Sequence, residues 1–323
     1  MKLALSRHET LWYEDGNIVL VADTTTFRVH SSVLSRASDI FRDMFSLPQP
    51  QGEDTIDGCP VVHLPDSPHD LAIALDMLYN GMRYHLNDQP PLWTTVRAML
   101  RMGTKYEMDA LRQEAIDQLD RAFPKNLKDW DVVQLSRMEG DMSIKIMRYE
   151  DEECISIAAA AREAQLQRIH LFALYRCCQR PTKDLISHYR HSDGEANDAI
   201  LHEDDMEACI DGRQRLHHAD HRNAHFLFDV SSGTRCCRPA HCSIARSHVK
   251  DYLVGNFRED DLEDLQWNTN PLYPSWADEG SVLVWCKSHG LCKGCTEFYI
   301  NRHTEGRQNI FETLHEYIRV PPF

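Results

Sequence analysis

Positive charge is scarce in this chain. Its 323 residues carry 35 Lys and Arg against 50 Asp and Glu, a formal net charge of −15. Holding a phosphate backbone needs clustered cations, so nucleic acid is excluded as the expected partner. The deficit is spread along the chain: residues 1–123 hold 11 basic and 18 acidic groups, and the rest hold 24 and 32. With no acidic tail to account for it, a protein partner is the expectation. Long apolar runs are lacking too. Nothing approaches the roughly 18 residues that cross a bilayer, and no membrane partner is expected. The opening MKLALSRHET has only Leu3-Ala4-Leu5 before polar residues, too little for a signal h-region. The expected location is therefore the cytoplasm or the nucleus. A phosphate-binding Gly-rich loop, a nucleophile elbow and a zincin helix are all absent. The expectation is a protein that is not an enzyme, with no catalytic or organic-cofactor residues. Internal repeats are not evident.

Cysteine, by contrast, is plentiful. There are eleven, and six fall between Cys236 and Cys295. In a reducing compartment thiols stay free, so such clustering points toward metal. Cys292-Lys293-Gly294-Cys295 is a C-x2-C pair, and Cys236 or Cys237 with Cys242 forms a second short-range pair upstream. A tetrahedral zinc site wants four thiolates or imidazoles brought together from two such pairs. The candidate ligands are four of Cys236, Cys237, Cys242, Cys292 and Cys295, with Cys286, His289 and His241 as alternatives. The 49 residues between Cys242 and Cys292 exceed a small zinc finger, so the metal would staple a long loop within a domain. Structural zinc, reduced unligated thiols and a redox dithiol stand side by side as readings. His217, His221 and His225 share a helix face at i, i+4 and i+8, with His218 alongside. The Glu that a metalloprotease needs after the first His is missing, and the stripe reads as a solvated face.

Most of the architecture hangs on Gly16 to Phe45. Ile18 to Ala22 is a continuous apolar run, rich in β-branched residues, and reads as a strand buried on both faces. Asp23 and Thr24 turn it, and Thr25 to Val29 alternates as a paired strand. His30-Ser31-Ser32 opens a short helix. Ser38 is an N-cap for a second one that puts Ile40, Phe41, Met44 and Phe45 on one side. Val19, Leu20, Phe27, Val29, His30, Leu34, Ser38, Phe41 and Phe45 at these offsets resemble the BTB/POZ domain, although the Asp that many members carry at the first strand reads Asn17 here. Asp57-Gly58-Cys59-Pro60-Val61-Val62, after a Pro- and Gly-rich loop from Leu47 to Pro60, is most similar to BTB proteins of mushroom-forming (basidiomycete) fungi.

Further along, Val61 to Leu64 predicts a third strand. Ser67-Pro68 predicts a helix start and Asn80-Gly81 its end. Leu92, Val96, Met99 and Leu100 mark another helix, and Met108, Leu111, Ala115, Leu119 and Phe123 a third. Together these give an α+β fold, a small sheet with a hairpin surrounded by helices, followed by a mostly helical, Cys-containing region. The expected organisation is a short lead over 1–15, a BTB/POZ domain over 16–124 and a helical extension over 125–190. A linker beginning with His191 to Asp198 and the Cys/His-containing region make up 191–323. The lead is too short for both the extra strand and the long helix of domain-swapped BTB dimers. From Gly306-Arg307 a last helix is expected, its Ile310, Phe311, Leu314, Tyr317 and Ile318 docking on the cysteine-rich region ahead of Pro321-Pro322-Phe323.

The resemblance implies a protein-docking module, and the leading expectation is an adaptor that recruits a client to a cullin-type ubiquitin ligase. Phe45 and Leu47 would be the protein-binding residues. Cullin-binding members often carry a hydrophobic-x-Glu motif after the second helix, which here reads Leu47-Pro48-Gln49. A scaffold, self-associating or acting as a transcriptional co-regulator without a ligase, is the alternative. The third expectation is a zinc- or redox-responsive protein using the C-terminal cysteines.

Overall fold

The computed structural model describes residues 4–47, 55–81, 90–140, 145–190, 201–224, 236–245, 270–272 and 286–320. At its centre β2 (Ile18–Ala22), buried along its whole length, pairs antiparallel with β3 (Thr25–Val29), Leu20 lying opposite Phe27. On its other edge β2 pairs parallel with β5 (Cys59–Leu64). A second hairpin joins β4 (Thr55–Ile56) to β5 through Asp57 and Gly58, both at positive φ. Two left-handed residues in a row are what the twist of a tight hairpin demands, and Asp-Gly supplies them. The continuous apolar run in β2 is explained by cover on both sides of the sheet. Leu20 and Ala22 enter the main core with Phe27 and Val29. Val19 and Val21 face the other way, under Cys59, Trp12, Ile56 and Val61.

The lead contributes more than its sequence suggested. β1 (Ser6–Trp12) lies parallel to β3 and completes the order β1-β3-β2-β5-β4. Its residues up to Thr10 are largely exposed and polar, and only Leu11 is buried, so no alternating pattern announces it. A register shift between Arg7 and Trp12 bends this edge, as edge strands often do.

Two short helices follow, α1 (Ser31–Ala37) and α2 (Asp39–Ser46). Buried Ser38 joins them: its hydroxyl accepts from the Phe41 N–H and donates to the Tyr106 carbonyl. α3 (Pro68–Asn80) starts with the Ser67 cap and Pro68 and stops at Gly81, φ 79°. α4 (Trp93–Lys105) and α5 (Asp109–Ala122) close this part against each other. α6 (Leu127–Glu139) is capped by Asn126 and ended by left-handed Gly140. After a 3-10 turn at Asp151–Glu153 come α7 (Cys154–Glu163), α8 (Gln167–Cys178), α9 (Thr182–Arg190) and α10 (Glu203–Ala224). The last two are α11 (Lys293–Glu312) and α12 (Leu314–Tyr317).

One buried apolar cluster runs from β2 through α7 and α8 to Ile318. The joint between α4 and α7 is fastened by Trp93 Nε1 donating to Ser156 Oγ at 2.9 Å, and Arg112 on α5 reaches the Ala164 carbonyl at 3.2 Å. The helical extension thus shares its core with the domain before it.

The C-terminal expectation needs two corrections. The last long helix begins at Lys293, not at Gly306. Gly306 lies inside α11, where a Cβ would meet the side chain of Asn223 on α10. And the apolar stripe does not dock on the cysteine-rich region. Ile310, Phe311, Leu314 and Ile318 join the main core, Phe311 against Phe172 and Trp130, since that large aromatic surface buries more apolar area than a few thiols can. Pro48, Gln49, the 191–198 linker, His225 and Pro321-Pro322-Phe323 lie outside the described residues.

Candidate functional site

The thiols of Cys236, Cys242, Cys292 and Cys295 all lie within 4.8 Å of one another. Two segments bring them there. Cys236 precedes a helical turn over 239–245 that carries Cys242. Cys292 is the N-cap residue of α11 and Cys295 lies in its first turn. The approach to α11 is shaped by Gly290, at φ 69°, where a Cβ would press on His241 Nε2 at 3.0 Å. His241 Nε2 and Arg238 both hold the Gly290 carbonyl, at 3.1 and 3.3 Å. The two cysteine pairs are therefore tied through one backbone oxygen. Around them lies a small apolar nub of Ala245, Cys286, Leu291 and Tyr299, with Phe298 against it.

A tetrahedral zinc with Zn–S of about 2.3 Å needs sulfurs roughly 3.8 Å apart. Cys292 Sγ and Cys236 Sγ are 3.9 Å apart. Their protonation is shared unevenly. Burial opposes the Cys292 thiolate, but the N–H groups of Cys295 and Cys237, with the thiols of Cys295 and Cys242, outweigh it and bring this thiol down to about 6. Burial first, and neighbouring thiols second, push Cys295 up, and burial also raises Cys242. Thiols packed this closely titrate as one set, and a thiophilic cation that binds them displaces their protons.

Of the sequence candidates, Cys237 is exposed and stands outside the four, contributing only its N–H. Cys286 is buried in the nub, its thiol raised by burial to about 12, and is not among the four. His289 lies beside the Ser288 hydroxyl, and His241 acts on Gly290 instead. In the histidine stripe, the His217 and His218 rings are 6.4 Å apart. Among the described residues those two are not part of a metal-like cluster. The support given by Gly290 and His241 went unread in the sequence, although a Gly two residues before a C-x2-C pair is its trace.

In the BTB part of the chain, α2 presents the candidate docking residues. Leu47, just past the helix, is 65 % exposed. Phe45 is half-buried and stacks on buried Phe41, ring centroids 5.7 Å apart. Phe41 in turn stacks on Tyr106. The tip of α2 is thus an apolar spur held from behind by an aromatic column. Among the described residues no helix is long and apolar enough to cross a membrane.

None of the curated proteins compared matches the chain. Residues 13–122, from the end of β1 to the end of α5, match the family model of the BTB/POZ domain, and the N-terminal part of this protein is a BTB domain, a module for protein–protein interaction.

Proposed function

We propose that the protein is a BTB-type adaptor that brings a client to a cullin-type ubiquitin ligase. In this reading the α2 spur meets the ligase scaffold and the region beyond residue 190 holds the client. The observation that carries it is Leu47, a large apolar side chain 65 % exposed at the tip of α2 on the BTB domain. An apolar anchor on a rigid element is the kind of residue that interfaces concentrate their energy on. Calorimetry of the full chain with the N-terminal domain of a cullin tests it. Micromolar binding that Leu47→Ala weakens tenfold or more, at unchanged melting temperature, is the expected result. Leu47 is the better probe than Phe45, whose loss would also disturb Phe41. Absence of heat at about 100 μM overturns the adaptor reading. One residue favours the alternative of a scaffold or transcriptional co-regulator without a ligase: Gln49 stands where cullin binders often carry Glu. That alternative predicts self-association or nuclear partners instead. The similarity to BTB proteins of mushroom-forming fungi belongs to the same proposal and rests on Asp57 to Val62.

Zinc is the second half of the proposal. Cys236, Cys242, Cys292 and Cys295 would hold it as a closed four-thiolate site, a structural staple joining the 236–245 segment to α11. Supporting this are the four converging thiols and the second layer of Arg238, His241 and Gly290. Metal analysis of the purified protein should return about one zinc per chain, lost in Cys242→Ser. Less than about a tenth of an equivalent in a folded protein would remove both the staple and any zinc-responsive role.

A further inference from the structure

Four more thiols meet inside the helical array, well away in sequence from the candidate metal centre. Cys154 opens α7, Cys177 and Cys178 end α8, and Cys209 sits within α10. All four are buried. Their S–H groups are directed differently. Cys178 donates to the Cys209 carbonyl at 3.6 Å and Cys209 to the Leu174 carbonyl at 3.7 Å, so the backbone engages both. Cys177 donates to the sulfur of Cys154 at 3.4 Å, with no atom needed between them. Cys209 also lies beside Cys177 and Cys178, which makes a bridge from Cys209 the competing product.

We propose that Cys154 and Cys177 form a dithiol that a peroxide oxidises to a disulfide joining the start of α7 to the end of α8. One sulfur, as thiolate, attacks a peroxide oxygen and the O–O bond breaks. The departing hydroxide takes up the thiol proton and leaves as water, and the sulfur becomes a sulfenic acid. The second sulfur then attacks the first, the S–O bond breaks and a second water leaves with the remaining proton. Two thiols lose two electrons, and the peroxide accepts them.

Bonding brings the sulfurs from 3.4 Å to about 2.0 Å. The frame can give at this corner, because Cys154 follows directly on the 3-10 turn Asp151–Glu153. Ion pairs now hold the same corner: Arg176 with Asp151 at 2.7 Å, Arg137 with Asp151 at 3.4 Å and Arg180 with Glu152 at 2.8 Å. Asp151 and Glu152 are more than half exposed but Arg137, Arg176 and Arg180 are largely buried, so these pairs hold the corner more firmly than surface pairs do and less firmly than a covalent bond. A covalent link would fix what they only favour. Peroxide is small enough to enter when the corner opens locally. Burial raises the Cys177 thiol well above its ordinary value, so the reaction runs slowly at neutral pH.

This proposal depends on neither the docking spur nor the zinc staple, and its test separates them. The full chain is treated with hydrogen peroxide while a chromogenic chelator reports any released zinc. Free thiols are then alkylated under denaturing conditions and the peptides mapped without reduction. A Cys154–Cys177 cross-linked peptide is expected, reversed by dithiothreitol, with a higher melting temperature in the oxidised chain and no cross-link in Cys177→Ser. Recovery of both cysteines fully alkylated, or a bridge from Cys209 instead, overturns it. Should Cys177→Ser fail to fold, the wild-type peptide map decides alone.

Discussion

At Gly103 the backbone of α5 passes so close to α4 that a Cβ would sit 2.6 Å from the Arg112 nitrogen and 2.8 Å from its Cα. These are main-chain atoms, and no rotamer change can move them. Ala is worth about 1 kcal/mol over Gly within a helix, but overpacking typically costs about 1–3 kcal/mol. With the whole α4–α5 contact to be pushed apart, the cost should win. Gly103→Ala is expected to lower the urea midpoint at unchanged slope, by roughly 1–2 kcal/mol net. Two titratable residues on the facing helices α10 and α11 make opposite predictions about pH. Burial, with Arg307 adding to it, lowers His303 from 6.5 to about 4. The folded state keeps this ring neutral, so its contribution is complete above pH 6.5 and is lost as pH falls toward 4. Burial raises Asp220 from 3.8 to about 7. Its contribution is complete below pH 3.8 and is lost as pH rises through 7. His303→Gln should flatten the acid side of the stability profile, and Asp220→Asn should gain stability at pH 8 while changing little at pH 4, both read by thermal melts across pH.

Among elements, α11 is fastened to α6 by a charge pair in the dry interior. Arg307 is fully buried, and its guanidinium bonds both carboxylate oxygens of Asp131 and the Leu272 carbonyl. Leu272 is itself placed by its N–H on the Tyr175 hydroxyl, 3.1 Å away. Removing one partner strands the other charge, at about 3–5 kcal/mol, whereas replacing both with apolar groups is often close to neutral. Arg307→Met and Asp131→Leu should each destabilise strongly, and the double variant should recover a large share of the loss in a double-mutant cycle. Nothing in the sequence announced this pair, because its members are 176 residues apart and each reads as an ordinary surface charge. What could be read was local. The β2–β3 hairpin, the caps at Ser38 and Ser67 and the stop at Gly81 each depend on residues within a few positions of one another. β1 could not be read, since a polar edge strand buries one residue face at most. The start of α11 was hidden for a related reason. Its first turns bury only Cys295 and Tyr299, and Gly306 within it is a helix breaker by propensity. In the four-cysteine cluster the two cysteine pairs were legible from spacing. The choice of Cys236 over its neighbour Cys237 was not, because only the fold decides which of two adjacent side chains turns inward.

At the scale of the molecule, the described residues form three apolar clusters: the Val19, Val21 and Cys59 patch on the far face of the sheet, and two others of very unequal size. The large one is continuous from the BTB sheet to Ile318, and the small one consists of the four converging cysteines with Ala245, Cys286, Leu291 and Tyr299. The described members of the small cluster bury little apolar area, and in the proposed reading a zinc ion staples them. α11 belongs to both: its first turn carries Cys295, and its last turns carry Arg307, Ile310 and Phe311 into the large core. Removing metal with a chelator under reducing conditions should therefore unfasten one end of this helix and leave the other docked. By hydrogen exchange, amides over 292–299 should lose protection, whereas those over 307–318 keep theirs because Asp131, Trp130 and Phe172 still hold them. The BTB domain, which shares the large core with the helical extension, should melt with that extension in one transition whether or not metal is present. If chelation instead abolished protection across the whole chain, the nub would be the keystone of the large core, and the separation of these two clusters would be wrong. If it changed nothing even at 292–299, the apolar contacts of Leu291 and Tyr299 alone would hold the nub, and the four thiols would be reduced cysteines that happen to meet.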